Sequence, residues 1–301
     1  MVSILITEPD SLLIDSLLYH DVSCFGYNNG YIQNINVSGG TQPYMYSVNG
    51  SVPVSHLTHF NGYGPGTYTV EVFDANNCVV ADIITITAPQ ILSTIITTSA
   101  NLPSNNGYAI SCNGGNDGEI SVFVSGGTPP YLKTWVNAQG NIIQSSNAPS
   151  VNSLIAGIYT LTVADAQACT HSQFITLTEP TPLQHNIVTT HVTCDGWANG
   201  SITDSVSGGV PGYTHHWNTD STGYTMTNMP VGVYTDTVTD LNGCQSYSTA
   251  IINDNNKLDA QVTNIQNVSC YGYCDGFVEV SITGGMPFFN STGNPIYTNI
   301  W

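Results

Sequence analysis

One seven-residue phrase, Cys-x-Gly-x-x-(Asn/Asp)-Gly, occurs four times in 301 residues, opening at Cys24, Cys112, Cys194 and Cys270. An internal repeat outranks every other sequence signal, because it makes the chain a series of like domains. The intervals of 88, 82 and 76 residues set a repeat of about 75–90 residues. Each phrase leads to an alternating run and a Gly-Gly pair, at Gly39-Gly40, Gly126-Gly127, Gly208-Gly209 and Gly284-Gly285. Four residues further stands an aromatic ring, at Tyr44, Tyr131, Tyr213 and Phe289. Three repeats add Gly-x-Tyr-Thr at Gly66, Gly157 and Gly232, with an Asp six residues beyond the Tyr (Asp74, Asp165, Asp240) and a Cys ten beyond it (Cys78, Cys169, Cys244). Spacing is fixed inside each half and variable between halves, as for strands held in register on either side of a tolerant loop.

Two repeats close on Ile84-Thr-Ile-Thr-Ala-Pro89 and Ile175-Thr-Leu-Thr-Glu-Pro180, and the opening Ser3-Ile-Leu-Ile-Thr-Glu-Pro9 matches them. Residues 1–9 therefore read as the last strand of a preceding repeat, followed by repeats at 10–90, 91–181 and 182–255 and a truncated fourth at 256–301. Segments such as Glu119–Val124 and Tyr159–Val163 alternate apolar and polar residues, are rich in Val, Ile, Thr and Tyr, and are punctuated by Gly, Pro, Asn and Asp. That is strand patterning, and several short strands per 80 residues predict an all-β tandem array of immunoglobulin-like sandwiches. The Tyr of Gly-x-Tyr-Thr stands where such domains carry a tyrosine corner, which places it in the core.

Domains this small bury a modest fraction of their surface and gain much from a cross-link. The simplest connectivity pairs Cys24 with Cys78, Cys112 with Cys169 and Cys194 with Cys244, giving each repeat an internal disulfide. Such loops are worth roughly 4 kcal/mol each in the chain-entropy account. Disulfides imply an oxidising compartment. Cys270 and Cys274 are left to bond each other, to bond another chain or to remain thiols.

Only 7% of residues are charged, and the two cations, Lys133 and Lys257, stand against 20 Asp and Glu, a formal net charge of −18. So little positive charge excludes phosphate-backbone binding, hence no nucleic-acid partner, and leaves no basic cluster for anionic lipids. No run of eighteen apolar residues exists, so membrane insertion by a helix is not expected.

Taken together, the phrases Cys-x-Gly-x-x-(Asn/Asp)-Gly, Gly-Gly-x-Pro-x-Tyr, Gly-x-Tyr-Thr followed by Asp and Cys, and a closing phrase close to Ile-Thr-x-Pro resemble the SprB repeats of Bacteroidetes surface proteins. Repeat 3 departs by ending in Ile251-Ile252-Asn253-Asp254 without the Pro. The resemblance implies large cell-surface adhesins exported by the type IX route, some of them moving filaments in gliding motility, and no catalytic residues. The chain is accordingly expected to be non-enzymatic. Its expected partners are other copies of itself, further repeats of the same protein, and surface glycans or polysaccharide.

Ligand chemistry is sparse. No cofactor is expected, and no metal beyond weak calcium candidates at Asp117 with Glu119, Asp275 with Glu279, and the Asp before each second cysteine, since oxygen-rich turns suit hard cations. The eight histidines show no zinc-binding spacing, and His215 and His216 are expected to face opposite sides of a strand. Asn36, Asn49, Asn199, Asn267 and Asn290 lie in Asn-x-Ser/Thr sequons. Asp-Ser/Thr-apolar triplets at Ser11, Ser16, Ser205 and Thr237 resemble the O-glycosylation signal of Bacteroidetes secreted proteins. Sheet edges are normally blunted by charge, which this chain lacks, so either sugars cover its edges or the edges pair with neighbours. Two functions fit: a non-enzymatic adhesin or stalk region, or the subunit of an extracellular filament assembled by strand pairing between incomplete end domains.

Overall fold

The computed structural model describes residues 7–56, 60–99, 106–194, 196–254 and 257–285, with the backbone of 288–289 and 295–296. The strand expected at 1–9 lies largely outside these residues, as do Asn290 and Trp301. No helix among the described residues is long and apolar enough to cross a membrane. Two compact parts divide the chain, Met1–Ser99 with Gly118–Leu177 and Ala100–Asp117 with Thr178–Trp301.

The first part holds two sandwiches. Strands β1 (Leu13–His20), β2 (Gly30–Ser38), β3 (Met45–Val48), β4 (Asn61–Tyr63), β5 (Gly66–Phe73) and β6 (Val79–Ile86) form sheets ordered β1-β2-β4 and β3-β5-β6. In repeat 2, β7 (Ser93–Thr98), β8 (Gly118–Ser125), β9 (Leu132–Asn137), β10 (Ile142–Ser146), β11 (Ser150–Leu154), β12 (Gly157–Ala164) and β13 (Thr170–Leu177) form β11-β8-β7 and β10-β9-β12-β13. In immunoglobulin lettering, A-B-E faces C-F-G, with one added C′ strand in repeat 2.

The second part holds repeat 3, with β14 (Gln184–Thr190), β15 (Gly200–Ser207), β16 (Thr214–Trp217), β17 (Thr225–Met229), β18 (Gly232–Thr239) and β19 (Gln245–Ile252) ordered β14-β15-β17 and β16-β18-β19. Repeat 4 contributes the antiparallel pair β20 (Asp259–Gln266) and β21 (Phe277–Thr283).

Period-two patterning builds each core. Along β5, Val70 and Val72 are fully buried, and they pack with Ile32, Ile35, Ile84 and Ile86 in the first sandwich. Trp135 and Trp217 occupy the centres of the second and third, on the C strands β9 and β16, where immunoglobulin domains carry their buried tryptophan. Two tyrosines lock each sandwich. At the start of the F strand, Tyr68, Tyr159 and Tyr234 donate their hydroxyls to Gly64 O, Ile155 O and Pro230 O, each at 2.9 Å, which is the expected tyrosine corner. After the Gly-Gly pair, Tyr44, Tyr131 and Tyr213 donate to Gly39 O, Gly126 O and Gly208 O at 2.6–2.7 Å.

The first glycine of the pair is required by space and by angle together. Gly126 has φ of +72°, and a Cβ there would lie 1.9 Å from Ile91 O. No other residue fits that crossing of the B strand over the start of the A strand.

Candidate functional site: cysteine loops and the bridges between repeats

The Cys-x-Gly-x-x-(Asn/Asp)-Gly phrase folds as a small loop that presents its cysteine. The residue three after the cysteine donates its N–H back to the cysteine carbonyl, as in Tyr27 N to Cys24 O and Trp197 N to Cys194 O, both at 3.1 Å. The intervening glycine takes positive φ, +81° at Gly26 and +75° at Gly196. The Asn/Asp then reaches back across the loop. Asn29 Oδ1 accepts from Ser23 N at 3.0 Å, Asn199 Oδ1 from Thr193 N at 3.1 Å, and Asp275 Oδ1 from Ser269 N at 2.9 Å. Both oxygens of Asp117 face Ser111 N, at 3.1 and 3.3 Å. Burial raises the Asp117 carboxyl, but its Ser111 bonds outweigh that and leave it below the ordinary carboxylate range. At Asp275 the Ser269 bonds act in the same direction against a smaller burial effect.

The second cysteine sits in the hairpin between the F and G strands, and the preceding Asp organises it. Asp165 Oδ1 accepts from Gln167 N and Cys169 N at 2.8 and 2.9 Å, while Oδ2 accepts from Thr128 N at 2.8 Å. Asp240 repeats the arrangement with Asn242 N, Cys244 N and Val210 N, and Asp74 with Asn76 N, Cys78 N and Thr41 N. One carboxylate thus ties the F–G hairpin to the residue after the Gly-Gly pair. The turn carboxylates weighed as calcium ligands, Asp117, Asp275 and the three hairpin aspartates, spend oxygens on these backbone donors. Glu119 is exposed and accepts from Ser121 Oγ at 3.4 Å.

The disulfide pairing differs from the expected one. Cys24 bonds Cys169, with Cα atoms 5.7 Å apart, and Cys112 bonds Cys244 at 5.6 Å, while Cys78, Cys194, Cys270 and Cys274 are free and exposed. The pairings Cys24–Cys78, Cys112–Cys169 and Cys194–Cys244 are therefore wrong, and no described repeat has an internal bridge. Strand direction gives the reason. Gly30, six residues after Cys24, pairs with Tyr63 beside the start of β5, whereas Cys78 lies beyond the far end of β5. Eight residues of strand span about 26 Å, and a disulfide needs Cα atoms within about 7 Å. In repeat 3, Gly200 packs against Ile252 at one end of β19, while Cys244 precedes the other end. Within a sandwich the two cysteines stand at opposite ends. The first cysteine of one repeat meets the second cysteine of the next.

Local bonds seat these bridges. In the first part, Val22 N donates to Thr87 O at 3.1 Å and Thr87 N to Asp21 Oδ1 at 2.6 Å, fastening the Cys24 loop to the closing phrase of its own repeat. In the second, Glu179 of the closing phrase accepts from Gly114 N at 2.8 Å and from Asn113 Nδ2 at 3.1 Å, and Asn242 Nδ2 donates to Ser111 O at 2.9 Å.

The candidate sugar sites are distributed over this framework. Asn36, Asn49, Asn199 and Asn267 are exposed, as are Ser11, Ser16 and Ser205, whereas Thr237 is half-buried and Asn290 lies outside the described residues. Asn199 is also the lock of its cysteine loop, donating Nδ2 to Thr193 Oγ1 at 2.7 Å. Asp204 and Asp236, which precede Ser205 and Thr237, are wholly buried, and sequence reading missed their place in the core.

The SprB repeat family model matches residues 20–53, 110–140 and 186–222. No curated protein matches the chain. Among solved structures, the three N-terminal domains of the bacteriophage RB49 Highly Immunogenic Outer Capsid protein align at 12% identity and a TM-score of 0.40, covering 78% of this chain and 97% of that one. Sidekick-1 immunoglobulin domains 1–5 align at 10% identity and 0.32, covering 82% and 59%. A complex of Dpr2 Ig1-Ig2 with DIP-Theta Ig1-Ig3 aligns at 11% and 0.29, covering 81% and 99%. All three scores fall below 0.5, and the immunoglobulin-like assignment rests on strand order, tyrosine corners and central tryptophans.

Proposed function

We propose, on the premise that this is a chain of SprB repeats, that it forms an extracellular, non-enzymatic adhesin or stalk region whose repeats are splinted by disulfides. The observation that carries the reading is that both bridges join consecutive repeats. A bridge inside a domain stabilises that domain; a bridge to the next one stops the two from separating and diverts tension away from the strands between them. From Cys78 the chain runs through β6 and β7 to Cys112, crosses to Cys244, and runs through β19 and β20 to Cys270. A second path crosses from Cys24 to Cys169 and runs through β13 and β14 to Cys194. Each path uses only G and A strands, so once Cys78, Cys194 and Cys270 are bonded onward, tension bypasses the rest of each sandwich.

Three free cysteines continue the pattern. Cys78 occupies the position of bonded Cys169 and Cys244, and Cys194 and Cys270 that of bonded Cys24 and Cys112. Their partners are cysteines of further repeats, of this protein or of another copy. Export by the type IX route and glycosylation at the exposed Asn and Ser positions belong to the same reading. So does contact with surface polysaccharide, for which the open cleft lined by Tyr19, Asp21, Tyr31, Thr128 and Gln167 is the proposed place.

Single-molecule stretching tests the splint. Oxidised protein unfolds to a short contour, and reduction lengthens it by at least the 145 residues that Cys24–Cys169 bypasses, each about 3.5 Å. Equal contours in both states refute the reading.

The alternative reading is a filament subunit that assembles by strand or edge pairing between copies. Ordered fibres of constant subunit repeat in negative-stain images favour it, and single beaded strings favour the stalk.

A further inference from the structure

Repeat 3 differs from its neighbours inside its core. Aligned on the Gly-Gly pair and the two locking tyrosines, four inward positions hold Ile14, Ile35, Tyr46 and Val70 in repeat 1 and Thr94, Val122, Lys133 and Leu161 in repeat 2. In repeat 3 the same positions hold His185, Asp204, His215 and Asp236. Two of these side chains come from each sheet, on β14 and β15 and on β16 and β18. Both aspartates are 0% exposed. His185 Nδ1 lies 2.7 Å from Asp204 Oδ2 and His215 Nδ1 lies 2.6 Å from Asp236 Oδ2. Ser248 Oγ donates to Asp204 Oδ2 at 2.9 Å and His216 N to Asp236 Oδ1 at 3.1 Å, fixing both carboxylates.

The hydrogen bonding is incomplete. Asp204 Oδ1 and His185 Nε2 are buried without any partner. An orphaned carboxylate oxygen inside a core is costly, and natural cores answer one with a polar partner, an ordered water or an ion. One donor atom each from Asp204, His215 and Asp236 lie within 4.8 Å of one another. Tetrahedral zinc, with bonds of about 2.0–2.2 Å, needs its donor atoms about 3.4 Å apart, a rotamer adjustment away.

We propose that the core of repeat 3 is a binding site for a divalent transition-metal ion of the zinc class, held by Asp204, His215 and Asp236, with His185 bonded to the Asp204 carboxylate behind them. Mixed imidazole and carboxylate donors suit zinc and its neighbours and not calcium, which takes oxygen alone. The ion stitches the two sheets together where repeats 1 and 2 use apolar or single-residue packing.

The test uses the whole chain with exposed thiols alkylated, so that Cys78, Cys194, Cys270 and Cys274 cannot supply ligands. After chelator treatment and dialysis, zinc sulfate is titrated calorimetrically and bound metal is counted by mass spectrometry. One zinc per chain is expected, with a rise of more than about 10 °C in the thermal midpoint of one transition at hundredfold excess over Kd. The variant H185I/D204I/H215Y/D236V installs the repeat 1 residues. It is expected to fold, since repeat 1 folds with them, and to bind no zinc; should it misfold, D204N alone must lose the zinc-induced shift. Absence of zinc uptake by the parent chain, equal uptake by the folded variant, or a shift produced by calcium as well as by zinc overturns the proposal.

Discussion

Cys24 bonds Cys169 across 145 residues of sequence, joining the A–B loop of one sandwich to the F–G hairpin of the following one. The bridge spans two cores and closes neither. Each sandwich must then be stable on its own packing, from Val70 and Val72 in the first to Leu161 and Val163 in the second. Reduction is therefore expected to leave the far-ultraviolet circular dichroism of a β protein unchanged at 25 °C while opening the junction. Limited proteolysis near Thr87–Gln90 should accelerate on reduction, and loss of β structure instead would show the bridges hold the folds.

The tyrosine corner is testable alone. Tyr159 is 4% exposed and its hydroxyl satisfies Ile155 O. Tyr159→Phe keeps the ring and orphans the carbonyl, a loss of about 1–2 kcal/mol. A shift of the urea midpoint with unchanged slope is the expected result.

Gly126 tolerates no side chain. Positive φ and a contact at 1.9 Å act together, so Gly126→Ala is expected to cost at least about 3 kcal/mol or to prevent folding of repeat 2. Gly140→Ala, whose Cβ meets nothing within 4 Å despite a φ of +79°, should cost only about 1 kcal/mol.

Asp74 gives a pH signature. Burial raises its carboxyl, but the backbone N–H bonds from Cys78, Thr41 and Asn76 outweigh burial and bring it below 3.8. A depressed folded-state value means the unfolded chain binds the proton more readily, so stability is present above the unfolded value and is lost as pH falls through the folded one. The F–G hairpin of repeat 1 should loosen only below about pH 4, read as rising amide exchange at Asn76 and Cys78. Asp74→Asn should remove that dependence.

Much of this was legible in the residues. The alternating runs, Gly-Gly pairs and Gly-x-Tyr-Thr phrase encode local geometry, and local geometry dictates sandwiches of this strand order. The pairing of cysteines was not legible, because fixed spacing places Cys24 and Cys78 on their sandwich without saying that they stand at opposite ends. That follows only from counting strand reversals between them. The buried His–Asp cluster was visible in principle. Asp204 falls where Ile35 and Val122 stand, and Asp236 where Val70 and Leu161 stand, so aligning the repeats would have exposed charged residues at inward positions. Asp-Ser-Val and Asp-Thr-Val drew attention as sugar signals, and the aspartates in them serve the core.

The most direct test of the account is disulfide mapping of unreduced, alkylated protein by proteolysis and mass spectrometry. Cross-linked peptides containing Cys24 with Cys169 and Cys112 with Cys244 are expected. Peptides joining Cys24 to Cys78, or Cys112 to Cys169, would contradict it.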